Sequence, residues 1–74
     1  MIKYLVKGHM KDIDEPVHYT LSPEEKDRVL LILQCERNMD ATPLYVKFDI
    51  EEYTNNLLTA TFLYDNVKGC YIDD

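Results

Sequence analysis

Few side chains in this sequence can make or break bonds. Nucleophilic catalysis needs a nucleophile, a base and a group that orients the base. The one serine, Ser22, stands before Pro23 and Glu25 and is taken up as a helix cap. Cys35 falls in the second half of the helix that follows, the wrong end of the dipole for a stabilised thiolate. Nothing in the sequence brings a base to Cys70. Gly8 and Gly69 are isolated, so no glycine-rich loop can cradle a phosphate. No catalytic residue and no enzymatic activity are expected.

Metal chemistry fares no better. His9, His18, Cys35 and Cys70 make up the inventory of a Cys₂His₂ zinc site, but their spacing is that of no zinc motif. Asp12, Asp14 and Glu15 begin like a calcium loop and lack its glycine and its distal glutamate. No metal or cofactor is expected.

The charge distribution is the feature that departs from a bland domain. The 74 residues carry fourteen acids against eight bases, a net charge of -6, which opposes binding to a phosphate backbone. Residues 1–11 hold Lys3, Lys7 and Lys11 with no acid, a local +3. The remaining fourteen acids and five bases give residues 12–74 a local -9. Acids gather at Asp12/Asp14/Glu15, Glu24/Glu25/Asp27, Asp49/Glu51/Glu52 and Asp65/Asp73/Asp74. Asp49 and Glu51, two apart on a strand, share a face at about 6.8 Å. Phosphates on one DNA strand lie at a similar spacing, roughly twice a 3.4 Å rise. Aromatics anchor interfaces and charge steers encounter, so Tyr45, Tyr53 and Tyr71 beside Asp49, Glu51 and Glu52 are the expected partner-contacting residues.

These residues must be positioned by a small number of elements. Pro23 at the first helical turn, Ser22 before it and Glu25 three residues on predict a helix over 23–37, closed by a left-handed Asn38. Its middle, Val29 to Leu33, is apolar all round. Val29, Ile32 and Leu33 share one face with Met39 near it, and Leu31 and Cys35 lie roughly opposite. Residues Ile2, Tyr4 and Val6 alternate with Lys3, Leu5 and Lys7, and Val17, Tyr19 and Leu21 with His18 and Thr20, as half-buried strands do. A turn at Lys11 and Asp12 would face Val6 to Val17, Tyr4 to Tyr19 and Ile2 to Leu21. Pro16 then demands an edge strand, a bulge or a longer loop over 8–15.

Beyond the helix, Leu44, Val46, Phe48 and Ile50 alternate along one face, and Leu58, Ala60, Phe62 and Tyr64 along another. A three-residue loop at Thr54, Asn55 and Asn56 pairs Ile50 with Ala60, Phe48 with Phe62 and Val46 with Tyr64. A two-residue turn would set inward residues against outward ones. A short strand at 70–72 follows. The expected fold is α+β: a two-layer sandwich with one helix on a mostly antiparallel sheet of four to five strands, ordered β-β-α-β-β with a short final strand. Its open face would carry Lys3, Leu5, Lys7, His18, Thr20, Tyr45, Lys47, Asp49, Thr59, Thr61 and Leu63.

One domain of this size buries only about 60% of its unfolded surface. Two cysteines permit at most one bridge, and both are expected as free, mostly buried thiols. Self-association is the staple left, so a homodimer through Leu31 and Cys35 or an open sheet edge is expected. No apolar run approaches the roughly 18 residues of a membrane span. Lys3 and Lys7 interrupt the N-terminal apolar residues, so the chain reads as cytoplasmic.

These features point to a small acidic protein-binding module that acts by occupying a partner, in its specific form the nucleic-acid site of a basic enzyme. In size and charge the chain resembles phage-encoded inhibitors of host nucleic-acid enzymes, a likeness of type carried by no motif. The alternative is a structural or self-assembling subunit. A nucleic-acid-binding domain using Lys3, Lys7, Lys47 and Tyr45 ranks third, because the net charge opposes it.

Overall fold

A computed structural model describes residues 1–72. Strand β1 (Ile2–Met10) and strand β2 (Val17–Leu21) precede helix α1 (Pro23–Cys35). Strands β3 (Tyr45–Thr54), β4 (Leu57–Asp65) and β5 (Cys70–Tyr71) follow. The five strands form one antiparallel sheet in the order β2-β1-β3-β4-β5, and α1 packs on one face of it. This is the expected two-layer α+β sandwich. The helix follows edge strand β2, and the chain then returns as β3 on the far side of β1, which leaves β1 central.

Helix α1 starts where the capping residues require. Ser22 is extended (φ -77°, ψ 162°), and its N–H donates to Glu25 Oε1 at 2.9 Å. The Ser22 hydroxyl faces the Glu25 amide in the box arrangement but makes no well-formed cap hydrogen bond, so the carboxylate half carries the cap. The helix ends two residues earlier than expected. Glu36 is already extended, and Arg37 bridges to Pro43. The left-handed residue of this connection is Ala41 (φ 68°) rather than Asn38, whose N–H and side chain instead clamp Thr42.

The buried face of α1 is also rotated. Leu30 and Leu33 are buried with Val29 beside them, whereas Ile32 is 53% exposed and Met39 is fully exposed. Five consecutive apolar residues give no polar side to orient the helix, so contact with the sheet decides. Val6, Leu21, Tyr45, Phe48 and Ile50 complete the core.

Each hairpin changes the register and keeps the expected inward face except at Leu58, which the β4 bulge sends to the open side while Leu57 turns to the helix side. In the first, Tyr4 meets Leu21, Val6 meets Tyr19 and Gly8 meets Val17, two residues from the short-turn pairing. The loop is longer, Asp12 is left-handed (φ 63°), and Pro16 lies just before β2, a strand on the sheet edge. A shift of two preserves the side-chain face, so the pattern alone cannot distinguish the two registers. In the second hairpin the turn is Asn55 and Asn56, both left-handed (φ 51° and 68°). That is the two-residue turn the face-matching argument excludes. A bulge after Thr54–Leu57 and Tyr53–Leu58 adds Thr59 to β4, so Glu52 meets Ala60, Ile50 meets Phe62 and Phe48 meets Tyr64. One inserted residue restores inward against inward.

Candidate protein-binding surface

The expected contact residues separate onto three environments. Tyr45 lies in the core. Between His9–Lys47 and Met10–Tyr45 the β1·β3 register shifts, leaving Val46 as an extra residue that turns Tyr45 to the helix side. Tyr45 is 4% exposed, and its hydroxyl shares a 2.7 Å hydrogen bond with that of Tyr19. Burial, then the Tyr19 hydroxyl, pushes the Tyr45 phenol up to about 12. Its expected place on an exposed contact surface is therefore overturned by the bulge.

Glu52 sits on the helix side, because it pairs with Tyr4 and Ala60 across the sheet. Its carboxylate accepts from the Tyr4 hydroxyl at 3.0 Å and from Thr59 at 2.9 Å. Lys26 Nζ stands 5.0 Å above the Tyr4 ring. The hydrogen bond to Glu52, with burial, raises the Tyr4 phenol above its ordinary value. Glu52 thus ties the sheet together below the helix start and is separate from the Asp49/Glu51 row.

Asp49, Glu51 and Tyr53 share the open face with Lys3, Lys7 and His9 of β1. Lys7, His9, Asp49 and Glu51 each meet a polar partner on this face. Lys7 Nζ is 3.5 Å from Glu51 Oε1, His9 Nε2 is 2.7 Å from Asp49 Oδ2, and the Tyr53 hydroxyl donates to Glu51 at 3.1 Å. That hydrogen bond, with lesser help from burial and the carboxylate charge, raises the Tyr53 phenol. Glu51's side chain is only 23% exposed. The carboxylate row exists, with the Lys7 ammonium and the His9 ring laid beside it.

The same matching holds across the face. In register Lys7 stands opposite Asp49 and Lys47 opposite Asp65, while Lys3 lies opposite Tyr53 and Leu5 opposite Glu51, so three lysines and three carboxylates share the face. Asp65 ends the row and caps the next turn, accepting from the Val67 and Lys68 N–H groups at 2.9 Å each. The Lys68 N–H is the first cause of its carboxyl lying below the usual range. The acid surplus is therefore displaced to the 11–16 loop, the first turn of α1 and the loop after it. Asp73 and Asp74 lie outside the described residues.

An open concavity lies where this face meets the β5 end of the sheet, lined by Lys7, Asp49, Glu51, Thr61, Leu63, Tyr71 and Ile72. Tyr71, 49% exposed, borders it from the helix side of the sheet, where it pairs with Tyr64, and Tyr53 adjoins it through Glu51. Tyr71 packs edge-on against Tyr64 at 5.0 Å and Phe62 at 6.5 Å, so the ring is held in place. Leu63 and Ile72 were absent from the sequence-derived contact set. Ile72 reaches the site because its N–H donates to the Leu63 carbonyl, a non-local pairing that sequence alternation does not reveal.

On the opposite side of the molecule, Leu31 (59% exposed), Ile32 and Cys35 line a shallow apolar depression with Glu36. Leu31 and Cys35 are off the core, as the helical spacing implies. Cys35 and Cys70 are both free and both exposed, so the expectation of buried thiols does not hold. Among the described residues no cluster of three metal-ligating side chains forms, and no helix is long and apolar enough to cross a membrane. Comparison with family models, with curated proteins and with solved structures found no match to this chain.

Proposed function

We propose that the chain is a small acidic protein-binding module that docks through the concavity around Asp49, Glu51 and Tyr71. The observation that carries this reading is the separation of charge on the molecule. The open sheet face is balanced, whereas the acid surplus lies on the loops and the helix start. The surplus steers a basic partner by long-range attraction, and the balanced face then makes the short-range contact. Leu63 and Ile72 supply apolar anchorage with Tyr71 at the sheet edge beside them, and Tyr53 and the carboxylates supply polar contacts at the rim. A guanidinium of the partner replaces Lys7 or His9 at Glu51 or Asp49 as it docks. A basic nucleic-acid enzyme is the partner class that fits this charge, so occupation blocks its nucleic-acid site.

The test is capture by the tagged chain, identification by mass spectrometry, and association kinetics on the captured protein over a salt series. Asp14→Asn with Glu15→Gln, in the acidic loop, is expected to slow association and flatten the salt dependence. Asp49→Asn with Glu51→Gln, which keeps the side-chain shapes, and Tyr71→Ala are expected to speed dissociation instead. Competing nucleic acid is expected to displace the chain. Equal rates for all variants, or direct retention of nucleic acid by the chain alone, would overturn the reading.

A further inference from the structure

Among the described residues, strand β4 has one side of its backbone unpaired along most of its length. Strand β5 pairs only with Tyr64 and Asp65, with one further bond from the Ile72 N–H to the Leu63 carbonyl. Among the described residues nothing pairs with the outer side of residues 57–62. Because the Leu63 carbonyl points outward, alternation points the Thr61 N–H and C=O outward too. Natural proteins shield such edges with short strands, proline or charge. The other edge, β2, has only five residues and is headed by Pro16. Residues 57–62 have neither device, and residues 53–64 are the longest uncharged run in the chain.

The bulge at Thr59 gives this edge a symmetry that a regular strand lacks. Cross-strand partners share a face, so Leu57 (opposite Thr54) and Phe62 (opposite Ile50) both lie on the helix side. Leu58 (opposite Tyr53) and Thr61 (opposite Glu51) both lie on the open side. Turned antiparallel about a two-fold axis between Thr59 and Ala60, the segment meets its own image with like faces matched. Leu57 then faces Phe62 of a second copy, and Leu58 faces Thr61. A regular six-residue strand would set opposite faces together in that register.

We infer that residues 57–62 are a homodimerisation edge, pairing antiparallel with the same residues of a second copy to join two sheets into one. The occupant is a second copy because the edge is complementary to itself. It also lies within the longest uncharged run of the chain, so two chains of net charge -6 would pair there with no like charges directly opposed along residues 57–62. Pairing covers Leu57 and Leu58, which are 70% and 53% exposed, and brings the turn at Asn55 and Asn56 against Ile72 of the other copy. The concavity around Asp49 and Glu51 lies on the open face beside the seam, so each dimer presents two of them.

Sedimentation of the full chain from micromolar to millimolar concentration tests this. The wild type is expected to double in mass, while Thr61→Pro and Leu58→Asp each remain monomeric with an unchanged circular dichroism spectrum. Proline at position 61 removes an outward N–H that none of the described residues uses. Should that variant fail to fold, Leu58→Asp carries the same test on a half-exposed side chain. In the wild type, amide exchange at Thr61 is expected to slow by about tenfold or more as the dimer fills. A wild type monomeric throughout would overturn the proposal. So would a dimer that survives both edge variants and is broken by Leu31→Glu. The outcome is independent of partner binding, which is read from association with a different protein.

Discussion

The Tyr45 ring fills the space that a side chain at Gly8 would occupy: a Cβ built on Gly8 would lie 2.7 Å from Tyr45 Cδ1 and 2.8 Å from Cε1. The ring reaches this position only because the bulge at Val46 turns Tyr45 inward opposite Met10. Gly8 is itself buried on the central strand, so neither group can retreat into solvent. Gly8→Ala is expected to destabilise the fold by about 1–3 kcal/mol, the range for overpacking a tight core. Urea midpoints check it, and Tyr45→Leu in the same chain is expected to recover part of the loss.

Tyr45 also sets an alkaline limit. Its pKa rises from 10.0 to about 12 in the fold, so the folded chain keeps a proton that the unfolded chain releases. The stability this group contributes is full below about 10 and is lost as pH rises toward about 12. Melting temperatures measured across that window are expected to fall for the wild type and to fall less for Tyr45→Phe.

The helix start rests more on Glu25 than on Ser22. Glu25→Ala removes the 2.9 Å acceptor of the Ser22 N–H and a negative charge in the first turn, and is expected to cost about 0.5–1.5 kcal/mol. Ser22→Ala is expected to cost less, near the low end of about 0.5–2 kcal/mol for caps. Denaturant midpoints of the two variants give the order directly.

Ala41 holds a left-handed conformation (φ 68°) that an alanine side chain disfavours. Ala41→Gly is expected to stabilise the chain by about 0.5–1 kcal/mol, the relief of strain exceeding the added freedom of the unfolded chain. Calorimetry would show it as a raised melting temperature.

Alternation and capping residues determine much of this protein without any tertiary information. Period-two patterns identify the first four strands and their inward faces up to the bulges, which overturn Val46 and Leu58, because a side chain's face follows from its parity along the strand. Ser22, Pro23 and Glu25 place the helix start to the residue, because each answers a local need of unpaired N–H groups. The surplus of Leu31 and Cys35 on the outer helix face was legible for the same geometric reason. Tertiary structure decided what parity cannot express. Two bulges, at Val46 and Thr59, each shift parity by one residue. The first sends Tyr45 from the surface to the core, and the second reconciles a two-residue turn with matched faces. Register in the first hairpin moved by two because the faces stay the same and only packing against α1 tells the pairings apart. Glu52 parts from Asp49 and Glu51 by simple parity, and the fold sets the Lys7 ammonium and the His9 ring of the neighbouring strand beside the remaining pair. Those neighbours lie some forty residues away in the chain, so only the folded sheet brings them beside the carboxylates.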